Sequence, residues 1–359
     1  MTRLADSVED LTPEWFTEAL REGGTIGGDA TVTSAKSSLV GTGQLGKVVL
    51  TELGYDTGTA GPASLIAKLP SSDAGSRQLG VMMGAYEAEV RFYQEIVPLV
   101  AVAAPRMHFG DIEPDTGRFT LLIDNLTPLS TVGDMVAGCS MEHAELALLA
   151  LVGLQAPSWD CPALLDKKWI SDIARTQLLF DTVPTAVEVF LERFTPRLEP
   201  EHVALVRELG PKAPAYPSAV WKGPLAVAHG DYRLDNVMFG NAWPAPPVSI
   251  IDWQVARLAP PLVDAATFLG SCVSPDDRRA HETDLIARYH DGLVRLGVTG
   301  FTLDDCLESY RRCSLYSFLL TILASMTLEQ TERGDAMWAR MLSGTADLIL
   351  STRASDILD

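Results

Sequence analysis

The segment Ala228-His229-Gly230-Asp231-Tyr232-Arg233-Leu234-Asp235-Asn236-Val237-Met238-Phe239, followed by Val248-Ser249-Ile250-Ile251-Asp252-Trp253-Gln254, places three oxygen-bearing side chains close together in the chain. Asp231 has the chemistry to accept a proton from an attacking hydroxyl. Asn236 and Asp252 are oxygen donors of the kind that Mg²⁺, a hard cation, takes up while sharing its shell with phosphates. His-x-Asp, four residues, Asn, then an Asp closing an apolar strand is the layout of a phosphoryl-transfer site. An acidic turn at a strand end would explain one such residue. It does not explain two motifs in this order, separated by a short loop and one apolar strand.

A second element precedes it. Gly41-Thr42-Gly43-Gln44-Leu45-Gly46-Lys47-Val48 reads G-x-G-x-x-G-x-V. Glycines in this spacing also occur in dinucleotide-binding units, but there a helix opens within the motif. Here Lys47 to Leu53 is β-branched and extended, which suits a hairpin lying over nucleotide phosphates. Lys68, in Ser64-Leu65-Ile66-Ala67-Lys68-Leu69, follows at the distance of a strand lysine that pairs with the α- and β-phosphates. A helix glutamate is expected to orient its ammonium. Glu87 and Glu89 both qualify, and helical phase alone does not separate them.

These motifs resemble those of the aminoglycoside phosphotransferase and choline kinase-like superfamily, which includes ecdysteroid kinase-like enzymes and carries H-G-D-x-x-x-x-N followed by I-D-[WF]-[EQ]. The resemblance covers roughly residues 35 to 275. It implies an α+β, protein-kinase-like fold with a β-rich N-terminal lobe and a helical C-terminal lobe. Residues 1–126 would form the nucleotide-binding lobe with a leading helix, and 127–359 the lobe with the catalytic loop and substrate site. It implies ATP and Mg²⁺ as reaction partners, with ATP held between the lobes. Asp231 is then the catalytic base, and Asn236 and Asp252 are the metal ligands. Gly41, Gly43, Gly46, Val48 and Lys68 face the nucleotide. Glu89 is favoured over Glu87 because it stands just ahead of Val90-Arg91-Phe92-Tyr93. Leu121-Leu122-Ile123-Asp124-Asn125-Leu126 resembles the inter-lobe hinge, so Asp124 and Leu126 would offer backbone groups to adenine. His229 is expected to orient the catalytic loop, Asp264 to buttress it, and Asp235 is a weaker candidate near the metals.

The elements needed to position these residues are visible in the pattern. Thr12 and Pro13 open a helix with Trp15, Phe16, Ala19 and Leu20 on one face, and Gly23 and Gly24 close it. Short β-rich runs follow at Ser38–Val40, Lys47–Leu53 and Ser64–Leu69, then a helix over Met82–Val97, then strands at Arg106–Asp111 and Phe119–Asp124. Beyond Thr127 the chain reads as helical: Glu142–Leu154, Ile170–Phe194, Glu201–Leu209 and from Val263 onward, with strands between Lys222 and Ile251. Asp276 and Asp277, and Asp304 and Asp305, sit where helices would start and favour the dipole there. Trp159, Trp169 and Phe190 read as core. Hydrophobic residues make up 47% of the 359, enough for a sizeable core.

The formal net charge of −19 argues against nucleic acid or an anionic membrane as the main partner. Five scattered cysteines form no C-x-x-C pair, and the first residues lack a signal-peptide pattern, so a cytoplasmic setting is expected. The longest apolar run, Leu315–Met326, is too short to span a bilayer.

The expected reaction is transfer of the γ-phosphoryl group of ATP to a hydroxyl of a small molecule, a metabolite or an antibiotic. A protein kinase is disfavoured: Gly230 stands where such enzymes carry Arg, Trp253-Gln254 replaces Phe-Gly, and no A-P-E segment follows. A catalytically weak ligand-binding relative is disfavoured because Lys68, Asp231, Asn236 and Asp252 are all present. A dinucleotide-dependent oxidoreductase is excluded by the hairpin context. Asp252-Trp253-Gln254 and the Val90–Tyr93 stretch look closer to the ecdysteroid- and choline-kinase-like branch than to antibiotic-resistance kinases. The usual Gly-Asp-Pro is replaced by Leu258-Ala259-Pro260-Pro261. A hydroxylated, largely apolar metabolite is therefore the expected acceptor.

Overall fold

Thr12 caps the first helix, α1 (Pro13–Glu22), by accepting the N–H of Trp15, and proline at the first position costs no hydrogen bond. Its apolar face, with Trp15, Phe16, Ala19 and Leu20, packs on a sheet in one hydrophobic core with Val49, Leu65, Ala67, Phe109 and Leu122. The computed structural model describes residues 3–41, 45–57, 61–327 and 330–359. They divide into two compact units: Met1–Pro98 with Ala104–Ser130 and Ile251–Val255, and Leu99–Ala103 with Thr131–Ile250 and Ala256–Asp359.

The first unit is built on a five-stranded antiparallel sheet. Its strands are β1 (Val32–Leu39), β2 (Gly46–Tyr55), β3 (Ser64–Pro70), β4 (Met107–Glu113) and β5 (Arg118–Asp124), in the order β1-β2-β3-β5-β4. β1 starts at Val32, six residues ahead of the sequence expectation. Its exposed Thr33, Ser34, Lys36 and Ser38 give little apolar alternation to read. Two helices lie between β3 and β4: α2 (Ala74–Met83) and α3 (Ala85–Arg91), the latter running on through a π-helical turn at Phe92–Ile96. The single helix expected over Met82–Val97 is thus corrected. Gly84 adopts φ +67, a conformation that L-residues avoid inside a helix, and the chain restarts there in a new direction.

The second unit contains most of the helices. β6 (Ser130–Val132) leads into α4 (Met141–Gln155), α5 (Pro162–Leu165), α6 (Lys168–Ser171), α7 (Ile173–Phe194), α8 (Pro200–Leu209) and α9 (Tyr216–Val220). The helix expected over Ile170–Phe194 is two: Asp172 leaves helical geometry and caps α7 by accepting the N–H of Arg175. Short strands follow, β7 (Ala226–Ala228), β8 (Val237–Gly240), β9 (Val248–Ile250) and β10 (Arg257–Ala259). β8 pairs with β9 and β10 with β7, both antiparallel. The unit ends in α10 (Leu262–Cys272), α11 (Pro275–Arg295), α12 (Leu303–Thr327) and α13 (Glu332–Thr352). α10 is buried along its whole length. Among the described residues, no helix is long and apolar enough to cross a membrane.

Candidate active site

In the first unit the glycine-rich segment lies in sequence between β1 and β2, which pair antiparallel. Leu39 lies opposite Val49, and Val40 N–H bonds to Val48 O at 2.9 Å. Gly41 takes φ +75 and Gly46 begins β2; Gly43 lies outside the described residues. Strand pairing sets Val48 directly opposite Lys68 on β3, and Lys68 opposite Leu121 on β5. Lys68 therefore sits mid-sheet, on a strand paired on both sides.

Lys68 Nζ donates to Glu89 Oε1 and, at 2.8 Å, to Asp252 Oδ1. Glu87, two residues earlier and so about 200° around the helix, takes Arg91 instead, at 2.8 Å. Burial disfavours the Lys68 ammonium, but the charges and hydrogen bonds of Asp252 and Glu89 outweigh it and hold its pKa above the usual lysine value. Burial pushes the Glu89 carboxyl up, against the pull of Lys68. Asp252 takes φ +68, a region in which Asp is among the few tolerated side chains. Its second oxygen, Oδ2, accepts Gln254 Nε2 at 2.9 Å. Between them, fully buried Trp253 stacks on Phe92 with ring centroids 3.6 Å apart and planes 8° from parallel. This stack anchors the Asp252 turn to the π-helical continuation of α3.

Asp124 ends β5, and Leu126 lies two residues beyond it. The Asp124 carboxylate accepts His108 Nε2 at 2.7 Å and Arg106 N–H at 3.2 Å. Burial works against its charge, but the bonds from His108 and the Arg106 N–H and the charges of those two side chains together outweigh it and lower its pKa. The Leu126 carbonyl accepts the N–H groups of Leu129 and Ser130 at 3.0 and 2.9 Å.

In the second unit the residues expected to form the catalytic loop follow β7. Asp264, fully buried in the first turn of α10, accepts His229 N–H at 2.7 Å and Gly230 N–H at 2.9 Å. Burial raises its pKa, opposed by His229 and by those two N–H groups. Gly230 takes φ +83, which a side chain would strain, and so redirects the chain toward Asp231. Asn236 Nδ2 donates to Asp231 O at 2.8 Å and Asp231 Oδ2 at 3.0 Å, which leaves Oδ1 as the acceptor of its amide. Arg233 Nε donates to both carboxylate oxygens of Asp231 at 3.0 Å. Asp235 accepts Arg233, Arg333 and the N–H of Met135 rather than standing open. Arg233, Arg333 and Gln254 were given no role from sequence. Arg333 lies 98 residues from its partner, and no local signal marks it.

Asn236 in the second unit, with its amide oriented by Asp231, and Asp252 in the first, with a partly exposed carboxylate, each offer an oxygen of the kind a hard divalent cation takes.

Residues 47–297, more than half of the chain, match the ecdysteroid kinase-like family. The chain belongs to that family. No curated protein matches the sequence. Among solved structures, this ecdysteroid kinase-like chain is similar to the GDP complex of wild-type aminoglycoside 2′-phosphotransferase-IIIa, with TM-score 0.51, 16% identity, and 91% of this chain and 95% of that one covered. It is also similar to an ethanolamine kinase of Plasmodium vivax, with TM-score 0.52, 12% identity, and 92% and 86% covered. At such identities the likeness is one of fold, and that fold is the α+β, protein-kinase-like one.

Proposed function

We propose that this protein is a small-molecule kinase that transfers the γ-phosphoryl group of ATP to an alcohol. The observation that carries the reading is the lysine on β3 held between Glu89 and Asp252, since a buried ammonium so oriented is suited to phosphate oxygens. Family membership, and a fold shared with proteins named as an aminoglycoside phosphotransferase and an ethanolamine kinase, support the same reaction class. Residues 1–126 would bind the nucleotide and 127–359 would supply the catalytic loop and the acceptor site.

The roles follow from the side chains. Asp231 orients the acceptor hydroxyl and receives its proton as the new O–P bond forms and ADP departs. Asn236 holds Asp231 in place through its amide N–H groups. Asn236 Oδ1 and the Asp252 carboxylate would hold Mg²⁺, which supplies charge neutralisation on the phosphates. Lys68 orients the nucleotide, with Glu89 keeping its ammonium in position. Gly41, Gly43, Gly46 and Val48 line the phosphate side, and the Asp124–Leu126 backbone the adenine side. The acceptor is a hydroxylated, largely apolar metabolite, and the working compartment is the cytoplasm.

A panel of alcohol-bearing metabolites and antibiotics, scored by ADP release, tests this. GTP is run beside ATP because the solved phosphotransferase carries GDP. Acceptor-dependent ADP release by wild type supports the proposal. Release that no alcohol stimulates, with protein substrates phosphorylated instead, contradicts it.

A further inference from the structure

Asp231 does not stand alone in its unit. It begins a ladder of alternating charges that ends on α13. Arg233 bonds Asp231 through Nε, and its NH1 donates to Asp235 Oδ2 at 2.7 Å. Asp235 also accepts Arg333, NH2 to Oδ1 at 3.0 Å and NH1 to Oδ2 at 3.3 Å, and the N–H of Met135 at 3.0 Å. Arg333 reaches on to Asp134 Oδ1 at 3.3 Å. α13 touches the ladder twice, because Met337, one turn after Arg333, sets its Sδ 2.8 Å from Arg233 NH1.

This arrangement has a direction. Arg233 is largely enclosed, with 16% of its side chain exposed, whereas Arg333 is 60% exposed. Buried charge pairs hold a defined geometry, while exposed ones contribute little. Arg233 sets Asp231, Asp235 sets Arg233, and Arg333 braces Asp235 from outside. Burial works against the Asp235 charge, but the bonds from Arg333 and Met135 and the charge of Arg233 hold its carboxyl below the usual range.

We infer that Arg233 is a positioning residue for Asp231, and that Asp235 and α13 hold it in place through Arg333 and Met337. The inference rests on the reading of Asp231 under the proposed function. A free carboxylate next to a glycine at φ +83 has rotamer freedom; a guanidinium Nε shared by both oxygens removes it. Misplacing a reacting group by about 1 Å costs about 10²-fold in rate.

The test uses the full chain and Mg·ATP hydrolysis, with water standing in as the acceptor hydroxyl. Arg233→Ala is expected to lower kcat by about 10²-fold with KM for ATP within about threefold, and added guanidinium ion is expected to restore part of the loss. Arg333→Ala, at an exposed position, is expected to lower kcat only about two- to fivefold. Should Arg233→Ala fail to fold, Arg233→Lys decides. It keeps the charge but lacks the fork, and is expected to fall about tenfold in kcat with Mg·ADP affinity unchanged. Asp231→Asn is measured alongside. If it is inactive while the Arg233 variants turn over at the wild-type rate, the inference fails and the reading of Asp231 stands. If Asp231→Asn itself hydrolyses ATP normally, that reading fails and this inference falls with it.

Discussion

Asp264 offers a way to perturb the catalytic loop without touching a group that meets either substrate. Its two carboxylate oxygens accept the backbone N–H groups of His229 and Gly230 at 2.7 and 2.9 Å, with no exposure to solvent. Asn at this position keeps the shape and one oxygen, but turns an NH₂ toward the other N–H. One buried donor is then left unsatisfied, at a cost of about 1–3 kcal/mol, and the surviving bond loses its charge assistance. Relief from burying a charge, visible in the raised pKa of Asp264, offsets part of this. The net expectation for Asp264→Asn is about 1–3 kcal/mol of destabilisation, read from urea unfolding followed by tryptophan fluorescence. Catalysis should suffer as well as stability. Gly230 immediately precedes Asp231, so a loosened loop moves the proposed base, and kcat should fall by about 10²-fold with KM for ATP little changed. Asp264→Ala, which removes both acceptors, should exceed Asp264→Asn on both readouts. Wild-type kcat and wild-type stability in Asp264→Asn would refute the idea that these two hydrogen bonds hold the loop.

Three further outcomes are expected. Asp252→Asn should weaken Mg·ADP binding in calorimetry and lower kcat with partial rescue by raised Mg²⁺, whereas Asp231→Asn should lower kcat by about 10²–10⁴-fold without such rescue. Trp253→Ala should destabilise the fold by about 3–5 kcal/mol in urea titrations, because it empties a fully buried site stacked on Phe92. Asp235 has a depressed pKa in the folded state, so its stabilisation is complete above the unfolded value near 3.9 and is lost as pH falls through the folded one. Asp235→Asn should therefore be less stable than wild type by a constant amount above about pH 5, and the gap should close below about pH 4 in acid titrations followed by circular dichroism.

What sequence revealed of this protein, and what it hid, divides by the range of the interactions involved. The His229–Asn236 and Asp252 motifs stood out because the chemistry proposed for them needs particular oxygen donors at short spacing. The hairpin was legible because β-branched residues follow the glycines directly. α1 was legible because its cap, proline and apolar face are all local. The break at Gly84 was not: the helix ahead of it opens on Ala74-Gly75-Ser76-Arg77-Gln78, which are small or polar and give no clear stripe, so the helix seemed to begin later. Nor could phase alone choose between Glu87 and Glu89, since each faces one side of α3 and only the packing of the sheet says which side is inward. The ladder through Arg233 and Asp235 depends on Arg333, far along the chain, and on Met337 beside it. Gln254 was visible in the motif, but its grip on Asp252 depends on that residue's positive φ, which no spacing reveals.

The most direct test of the central claim is to look for the product. Wild-type protein and Asp231→Asn are incubated with Mg·ATP and the pooled alcohol panel, and phosphate esters are sought by mass spectrometry and ³¹P NMR. The account predicts a new phosphate ester on a small-molecule hydroxyl with wild type, matched by ADP, and its loss with Asp231→Asn. An ester formed equally by both proteins, or phosphate found only on protein side chains, would contradict it.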